Sequence, residues 1–243
     1  MRDTSPIDPE TKPETRIANG DGVDRYPIGC ILMGAGVSKR FQAPDPGAPV
    51  LPREPECGRA EEPFNKLVAD FNGKPLIRHA ADTLSRVGFR SYIAVLREHE
   101  TERALDGTPF CIVWNRSEDF FSPSVTIRCG IRALPDDLSG ALFAVGDQPL
   151  ITEASIRRLC DAFLEDPTRI TVLSFEGTPG NPCIFPKALF AELKDLREGE
   201  SGKAVVRRHP DLVRTVEAGS LRELFDIDTK EELRIVRERT PGF

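Results

Sequence analysis

Apolar positions along this chain follow two rhythms. Short runs rich in apolar residues, Ile28 to Met33, Ser91 to Leu96, Phe110 to Trp114, Ala141 to Val145 and Ile170 to Phe175, predict strands; the first suits one buried on both faces, and Ala141 to Val145 is also of the buried type. Between them the apolar residues recur at spacings of 3 and 4. Leu76, Ile77, Ala80, Ala81, Leu84 and Val87 predict an amphipathic helix with Pro75 at its first position and Gly88 closing it. Val125, Ile127, Ile131 and Leu134 mark a helix over 124–134, and Ile156, Leu159, Cys160 and Phe163 mark another opening at Thr152. Shorter helices are expected over Glu98 to Leu105, Lys187 to Leu196 and Ser201 to Arg208, with a charged one over Thr229 to Arg239. Asn65 to Phe71 alternates weakly before a hairpin-type turn at Asn72-Gly73. Gly177 to Pro182 reads as a loop, Cys183 to Phe185 as a short extended piece, and Leu212 to Val216 as a strand. Strands separated by helices of this length predict βαβ units around a mostly parallel sheet, the α/β class.

Two stretches lack either rhythm. Residues 1–25 are rich in Pro, Asp, Glu and Thr and nearly free of apolar side chains, which predicts a disordered tail. Ala43 to Pro63 carries six prolines and reads as a flexible insertion beside the first strand's loop. The expected organisation is therefore a single domain over 26–243 with an insertion at 43–63.

Charge and composition narrow the chemistry. A formal charge of −6 with no Lys/Arg run argues against nucleic acid as a partner. No apolar stretch approaches the roughly 20 residues needed to span a bilayer, and the first residues hold no secretory h-region. No membrane partner is expected, and a cytoplasmic location is. The six cysteines are scattered without a C-x-x-C pair and read as small buried hydrophobes. His79, His99 and His209 are isolated, so any metal here is expected on carboxylates.

Ligands of such sheets bind beyond the carboxyl ends of the strands. Three strand ends carry polar chemistry. The first is Gly34-Ala35-Gly36-Val37-Ser38-Lys39-Arg40, where two glycines are followed by two cations. Successive backbone N–H groups in such a turn suit an anion, and Lys39 and Arg40 add charge. It matches neither the P-loop nor the G-x-G-x-x-G fingerprint, which needs glycine where Lys39 stands. The second is Gly146-Asp147-Gln148-Pro149 and the third Phe225-Asp226-Ile227-Asp228, where an extended chain would put both aspartates on one face. Each alone also suits a turn former or a helix cap, for Asp228 above all. Together, two carboxylates facing a cationic loop suit Mg²⁺ and a triphosphate, the parts of phosphoryl or nucleotidyl transfer.

These segments resemble the MobA-like nucleotidyltransferases, most closely their molybdenum cofactor cytidylyltransferase branch. The family's L-x-A-A-G-x-S-x-R-[MF] is matched by Leu32 to Phe41, with Gly34 in place of the first alanine. Its [ND]-K-L-L and G-K-P-[LV]-[IL] appear as Asn65-Lys66-Leu67-Val68 and Gly73-Lys74-Pro75-Leu76-Ile77. G-D-x-P is Gly146 to Pro149, G-[HN]-P-V-[LI]-F is Gly180 to Phe185, and D-I-D-T-x-E-[DE]-L is Asp226 to Leu233.

The resemblance implies a three-layer α/β/α sandwich that binds CTP or another nucleoside triphosphate through Leu32, Gly34, Ala35, Gly36, Lys39, Arg40, Lys66 and Ser124. It implies catalytic roles for Arg40, Lys66 and Asp147, and Mg²⁺ on Asp147 and Asp228 with Asp226 in reserve. Asn181 and Pro182 would face a molybdopterin-type substrate, and a molybdenum hydroxylase would be the client. Ala35, before Gly36, leans toward cytosine, since guanylyl-transferring relatives carry two glycines there. Guanylyl transfer, a sugar- or alcohol-phosphate acceptor, and a non-catalytic cofactor carrier remain the alternatives. The chain departs from the family pattern in the Ala43–Pro63 insertion and in Glu200, where G-D-x-G has aspartate.

Overall fold

The computed structural model describes residues 25–36, 65–116 and 122–240. The tail over 1–24, the insertion over 43–63, Lys39, Arg40 and Cys57 lie outside the described residues. A seven-stranded sheet runs in the order β5-β4-β1-β6-β8-β7-β9. Its strands are β1 (Tyr26–Gly34), β4 (Phe89–Leu96), β5 (Cys111–Trp114), β6 (Gly140–Val145), β7 (Ile170–Phe175), β8 (Thr178–Pro186) and β9 (Val213–Glu217). All neighbours are parallel except β8, which runs antiparallel to both β6 and β7. β2 (Asp70–Phe71) and β3 (Lys74–Pro75) form a separate small hairpin. Its turn places Asn72 and Gly73 at φ 50° and 82°, the left-handed pair that a two-residue hairpin loop requires.

Helices cover both faces, which makes three layers. Side chains of β1 alternate between two cores. Ile28, Cys30 and Leu32 pack with Ile77, Ala80 and Leu84 of α1 (Leu76–Ser85) and Ile156, Leu159 and Phe163 of α4 (Glu153–Glu165). Ile31 faces the opposite way, toward Ile127 and Ile131 of α3 (Pro123–Ala133), Leu193 of α5 (Phe190–Lys194) and Val205 of α6 (Gly202–Arg208). Being buried on both faces is why these strands read as unbroken apolar runs. A short α2 (His99–Ala104) follows β4, and α7 (Lys230–Arg239) packs apart from the main sheet. There Ile227, Leu233 and Val236 join Phe71, Leu76 and Leu150 in a third cluster, and Arg237 reaches the Asp70 carboxylate at 3.0 Å. Among the described residues no helix is long and apolar enough to cross a membrane.

Four local expectations change. The expected loop over Gly177 to Pro182 shrinks to a turn at Glu176 and Gly177, and Thr178 to Pro182 are the first part of β8, paired with β7. The β7–β8 register shifts between Val172 and Ser174, which takes up Pro182, a residue with no N–H to give. Phe225 to Asp228 is not a strand end. It leaves a 3₁₀ turn at Leu221–Leu224 and enters α7 without joining the sheet, because the Ile227 N–H goes to the Asp147 carbonyl at 3.0 Å. Its residues do not alternate as a strand would, for Ile227 is fully buried and Phe225 is 40% exposed. Pro75 sits one residue before α1, in β3, and residues 187–196 split into a 3₁₀ turn at Lys187–Leu189 followed by α5.

Cys30 and Cys160 are buried free thiols, pushed up by burial and suited to packing rather than reaction. Gly140 begins β6 where the sheet meets α4. A methyl group there would lie 2.5 Å from Phe163 Cζ and 2.7 Å from the Phe185 carbonyl oxygen. Gly140→Ala is therefore expected to lower stability by about 1–3 kcal/mol through overpacking, read as a shift in the urea midpoint at unchanged slope.

Candidate active site

The site forms where β1 and β6 end side by side. Lys66 opens a 3₁₀ turn, Lys66–Val68, that the Asn65 side chain caps. Asn65 Oδ1 accepts from the Leu67 N–H at 2.9 Å, while Nδ2 donates to Glu98 Oε2 and Thr101 Oγ1, both at 2.8 Å. Every polar atom of the amide is thus spent on fixing the turn. The Lys66 ammonium then donates to Asp147 Oδ2 at 2.7 Å and to Asp228 Oδ1 at 2.8 Å. The three side chains are 11%, 20% and 23% exposed, so this charge cluster is only thinly screened. Burial alone would pull the Lys66 pKa down. Asp147 and Asp228 outweigh it, and the net shift is upward, which keeps the ammonium charged.

Two glycines let the strands close on this lysine. A Cβ at Gly34 would come 2.6 Å from Leu96 Cδ2 and 3.1 Å from Ile77 Cδ1. One at Gly146 would come 2.9 Å from Ile77 Cγ1 and 3.2 Å from Leu67 Cδ2. Gly34 is accordingly a packing glycine beneath Lys66 and its neighbour Leu67, whereas a Cβ at Gly36 would meet nothing within 4 Å. The Gly146 N–H donates to the Met33 carbonyl at 3.1 Å and ties the two strand ends together.

Three bonds hold the segment carrying Asp226 and Asp228 against the turn after β6. Ile227 N–H donates to the Asp147 carbonyl, Gln148 Nε2 to the Leu224 carbonyl at 3.3 Å, and Thr152 Oγ1 to Glu223 Oε2 at 2.7 Å. The same Glu223 oxygen takes the Thr152 N–H at 3.1 Å, and Glu223 is 3% exposed. On the other side a capping box at Thr229 and Glu232 starts α7, and Glu232 Oε2 also accepts the Asp228 N–H at 2.8 Å. Asp226 keeps contact with solvent, yet the protein around it removes much of its hydration. That desolvation and the neighbouring Asp147 and Asp228 charges, opposed by Gln148 and Lys66, push its carboxyl up to about 6.

An open pocket sits on this arrangement, walled by Met33 of β1 and by Ala35 and Gly36 just after it, by Lys66 and Leu67, by Ser122, Pro123 and Thr126 at the start of α3, and by Val145 and Asp147. Ala35, Gly36, Lys66 and Asp147 thus meet at one place, with Asp228 bonded to Lys66 at its edge. Leu32 is fully buried in the core and Ser124 is fully buried behind the pocket wall. The Ser124 hydroxyl pairs with that of Ser122, which also accepts the Gly199 N–H at 2.9 Å. Asn181 and Pro182, joined by a cis peptide, lie beyond Cys183, which pairs with Phe143. They therefore continue toward the same sheet edge as the end of β6. Glu200 accepts from the Arg197 N–H at 2.8 Å and pairs with Arg208 at 2.7 Å, a loop-fixing role that leaves the pocket untouched.

Sequence reasoning passed over Asn65, Gln148, Glu223 and Glu232 as positioning residues, and Thr126 and Ser122 as wall residues. Thr229-x-x-Glu232 is a legible capping-box pattern and Asn65 a legible cap. Glu223 carries no local signal, because its partner is 71 residues away.

A divalent metal fits this donor set. Asp147 Oδ1 is buried with no hydrogen-bond partner, an acceptor whose desolvation is otherwise uncompensated. Among the described residues no group of three or more His, Cys, Asp or Glu side chains gathers to cage an ion. Mg²⁺ and Mn²⁺ sites of one or two carboxylates completed by substrate phosphates match that count.

A mostly parallel seven-stranded sheet covered by helices, with a pocket, a lysine and paired carboxylates at its carboxyl edge, is the architecture of an α/β nucleotidyltransferase fold. The chain belongs to the MobA-like NTP transferase domain family, which it matches over residues 30–213. A curated relative, the bifunctional protein GlmU of Kineococcus radiotolerans, is 28% identical over 195 residues. The match covers 73% of this chain but 38% of that protein, so the chain spans well under half of the relative's length. Among solved structures, a nucleotidyl transferase from Methanothermobacter thermautotrophicus superposes with a TM-score of 0.69 at 22% identity, covering 90% of this chain and 98% of that one. Rv0371c from Mycobacterium tuberculosis, in a complex with manganese, superposes with a TM-score of 0.62 at 21% identity, covering 88% and 98%. Both likenesses bear on the fold.

Glu223→Ala removes the acceptor for both Thr152 donors. It is expected to cost about 1.5–3 kcal/mol in chemical denaturation, the range for hydrogen bonds to a charged group, whereas Glu231→Ala on the exposed face of α7 stays within about 0.5 kcal/mol.

Proposed function

We propose that this protein transfers CMP from CTP to the phosphate of a molybdopterin-type acceptor, releasing pyrophosphate and serving the maturation of a molybdenum hydroxylase. The observation that carries the nucleotidyl-transfer reading is the cluster of Lys66 and Asp147 on the pocket wall with Asp228 bonded to that lysine, and the buried Asp147 Oδ1 without a hydrogen-bond partner. The acceptor and the base rest on the sequence resemblance, with Ala35 lining the pocket as the cytosine-leaning residue.

In this reading an oxygen of the acceptor phosphate attacks the α-phosphorus of CTP. The bond from that phosphorus to the α,β-bridging oxygen breaks, and pyrophosphate leaves with the electron pair. The nucleophile is already an anion, so no side chain need remove a proton. Lys66, with Arg40 from the glycine loop, stabilises charge on the departing phosphates, a contribution of preorganised cations that is largest where water is thin. Asp147 and Asp228 would hold the divalent ion, which supplies Lewis-acid charge neutralisation at the phosphates. The manganese complex of the similar Rv0371c supports the use of a divalent ion. Asn181 and Pro182, reaching the same edge from β8, are the proposed acceptor side.

Thermal shifts with CTP, GTP, ATP and UTP, each with Mg²⁺, are expected to be largest for CTP. A larger shift with GTP would move the assignment to guanylyl transfer, since the single Ala35 methyl group discriminates by only about 1–3 kcal/mol. With CTP and molybdopterin, pyrophosphate release is expected, falling by at least about 100-fold in Asp147→Asn. Binding of CTP and the acceptor without any turnover would make the protein a carrier instead.

A further inference from the structure

Asp147 and Asp228 each give one oxygen to the same ammonium, at 2.7 and 2.8 Å. These are the two carboxylates read above as metal ligands, and the inference rests on that reading. Lys66 takes one oxygen of each, so a divalent ion that bridges the two carboxylates comes close to the ammonium whichever of their oxygens it uses. Two cations at contact distance from one thinly screened pair of oxygens repel strongly. Asp147 Oδ1 offers one further oxygen, but among the described residues no additional ligand cluster completes a site around it. A metal held by both carboxylates therefore competes with the ammonium for the same pair of negative charges.

We infer that Lys66 and a divalent metal are alternative occupants of the Asp147–Asp228 pair, so that metal binding releases the Lys66 ammonium to the triphosphate. The local structure suits such an exchange. The backbone at Lys66 is fixed through the Asn65 cap, while the rotatable four-carbon stem lets the ammonium be redirected. Lys66 also forms part of the pocket wall together with Ala35 and Gly36, so the released ammonium stays within the pocket. The lysine keeps the acidic pair neutralised until the nucleotide needs it, and metal and nucleotide favour each other's binding.

The exchange gives Lys66 opposite effects on two ligands, which a purely structural lysine would not have. Mn²⁺ binding, followed by the loss of its free EPR signal, is measured on the full chain without nucleotide. Lys66→Met is expected to bind Mn²⁺ about tenfold more tightly than the wild type, and CTP in the presence of Mn²⁺ about tenfold more weakly. Melting curves are recorded alongside. The variant is expected to melt lower than the wild type without metal and to gain more from Mn²⁺, and Lys66→Ala repeats the comparison with less bulk. If both variants bind Mn²⁺ no more tightly than the wild type while Asp147→Asn loses it, the exchange is wrong and the metal assignment stands. If Asp147→Asn keeps wild-type Mn²⁺ affinity, the metal assignment itself fails and takes the exchange with it.

Discussion

A single ammonium shared by two carboxylates ties together three points far apart in the chain. Lys66 meets Asp147 across 81 residues and Asp228 across 162. Two negative charges this poorly hydrated are tolerable only beside a cation, and a lone cation here would be equally costly. Much of the surrounding architecture delivers one member of this trio. The hairpin and α1 brace Lys66 from below, the parallel pairing of β1 with β6 presents Asp147, and α7 with its capping box fixes Asp228. The cost of the cluster is spread over the fold rather than met at the site.

Much of this was legible beforehand. The central strands β1, β4, β6 and β7 are buried on both faces for most of their length, so their apolar runs were clear, and α1, α3 and α4 carried regular apolar faces. The elements read wrongly are those whose hydrogen bonds leave the local segment. β8 contains Gly180 and Pro182, which suggest a loop, yet its neighbours on both sides supply the ladder. Phe225 to Asp228 looks like a strand because its apolar and acidic residues alternate, but its backbone is claimed by Asp147.

The site shows the same division. Asp147 and Asp228 stood out by residue type and position, Lys66 only through the family resemblance, and the fold brings the three together. Ala35 and Gly36 line the pocket, while the missing Cβ of Gly34 leaves room for Ile77 and Leu96. Leu32 and Ser124 support the wall from behind it. Glu223 illustrates the limit. A buried glutamate whose only function is to receive two donors from a distant turn has no pattern in the linear sequence, because long-range polar satisfaction follows from the packed structure alone.

The reversed direction of β8 has a further consequence. β1 and β6 reach the site with their last residues, so altering the loops that follow them alters the site. β8 arrives with its first residues, Gly180 to Pro182, and the turn that feeds it at Glu176 and Gly177 lies out in solvent. Changes of length in that turn can shift Asn181 while the lysine and its two carboxylates stay where they are. The architecture thus separates two inheritable traits, one half of the edge free to diversify while the other stays fixed.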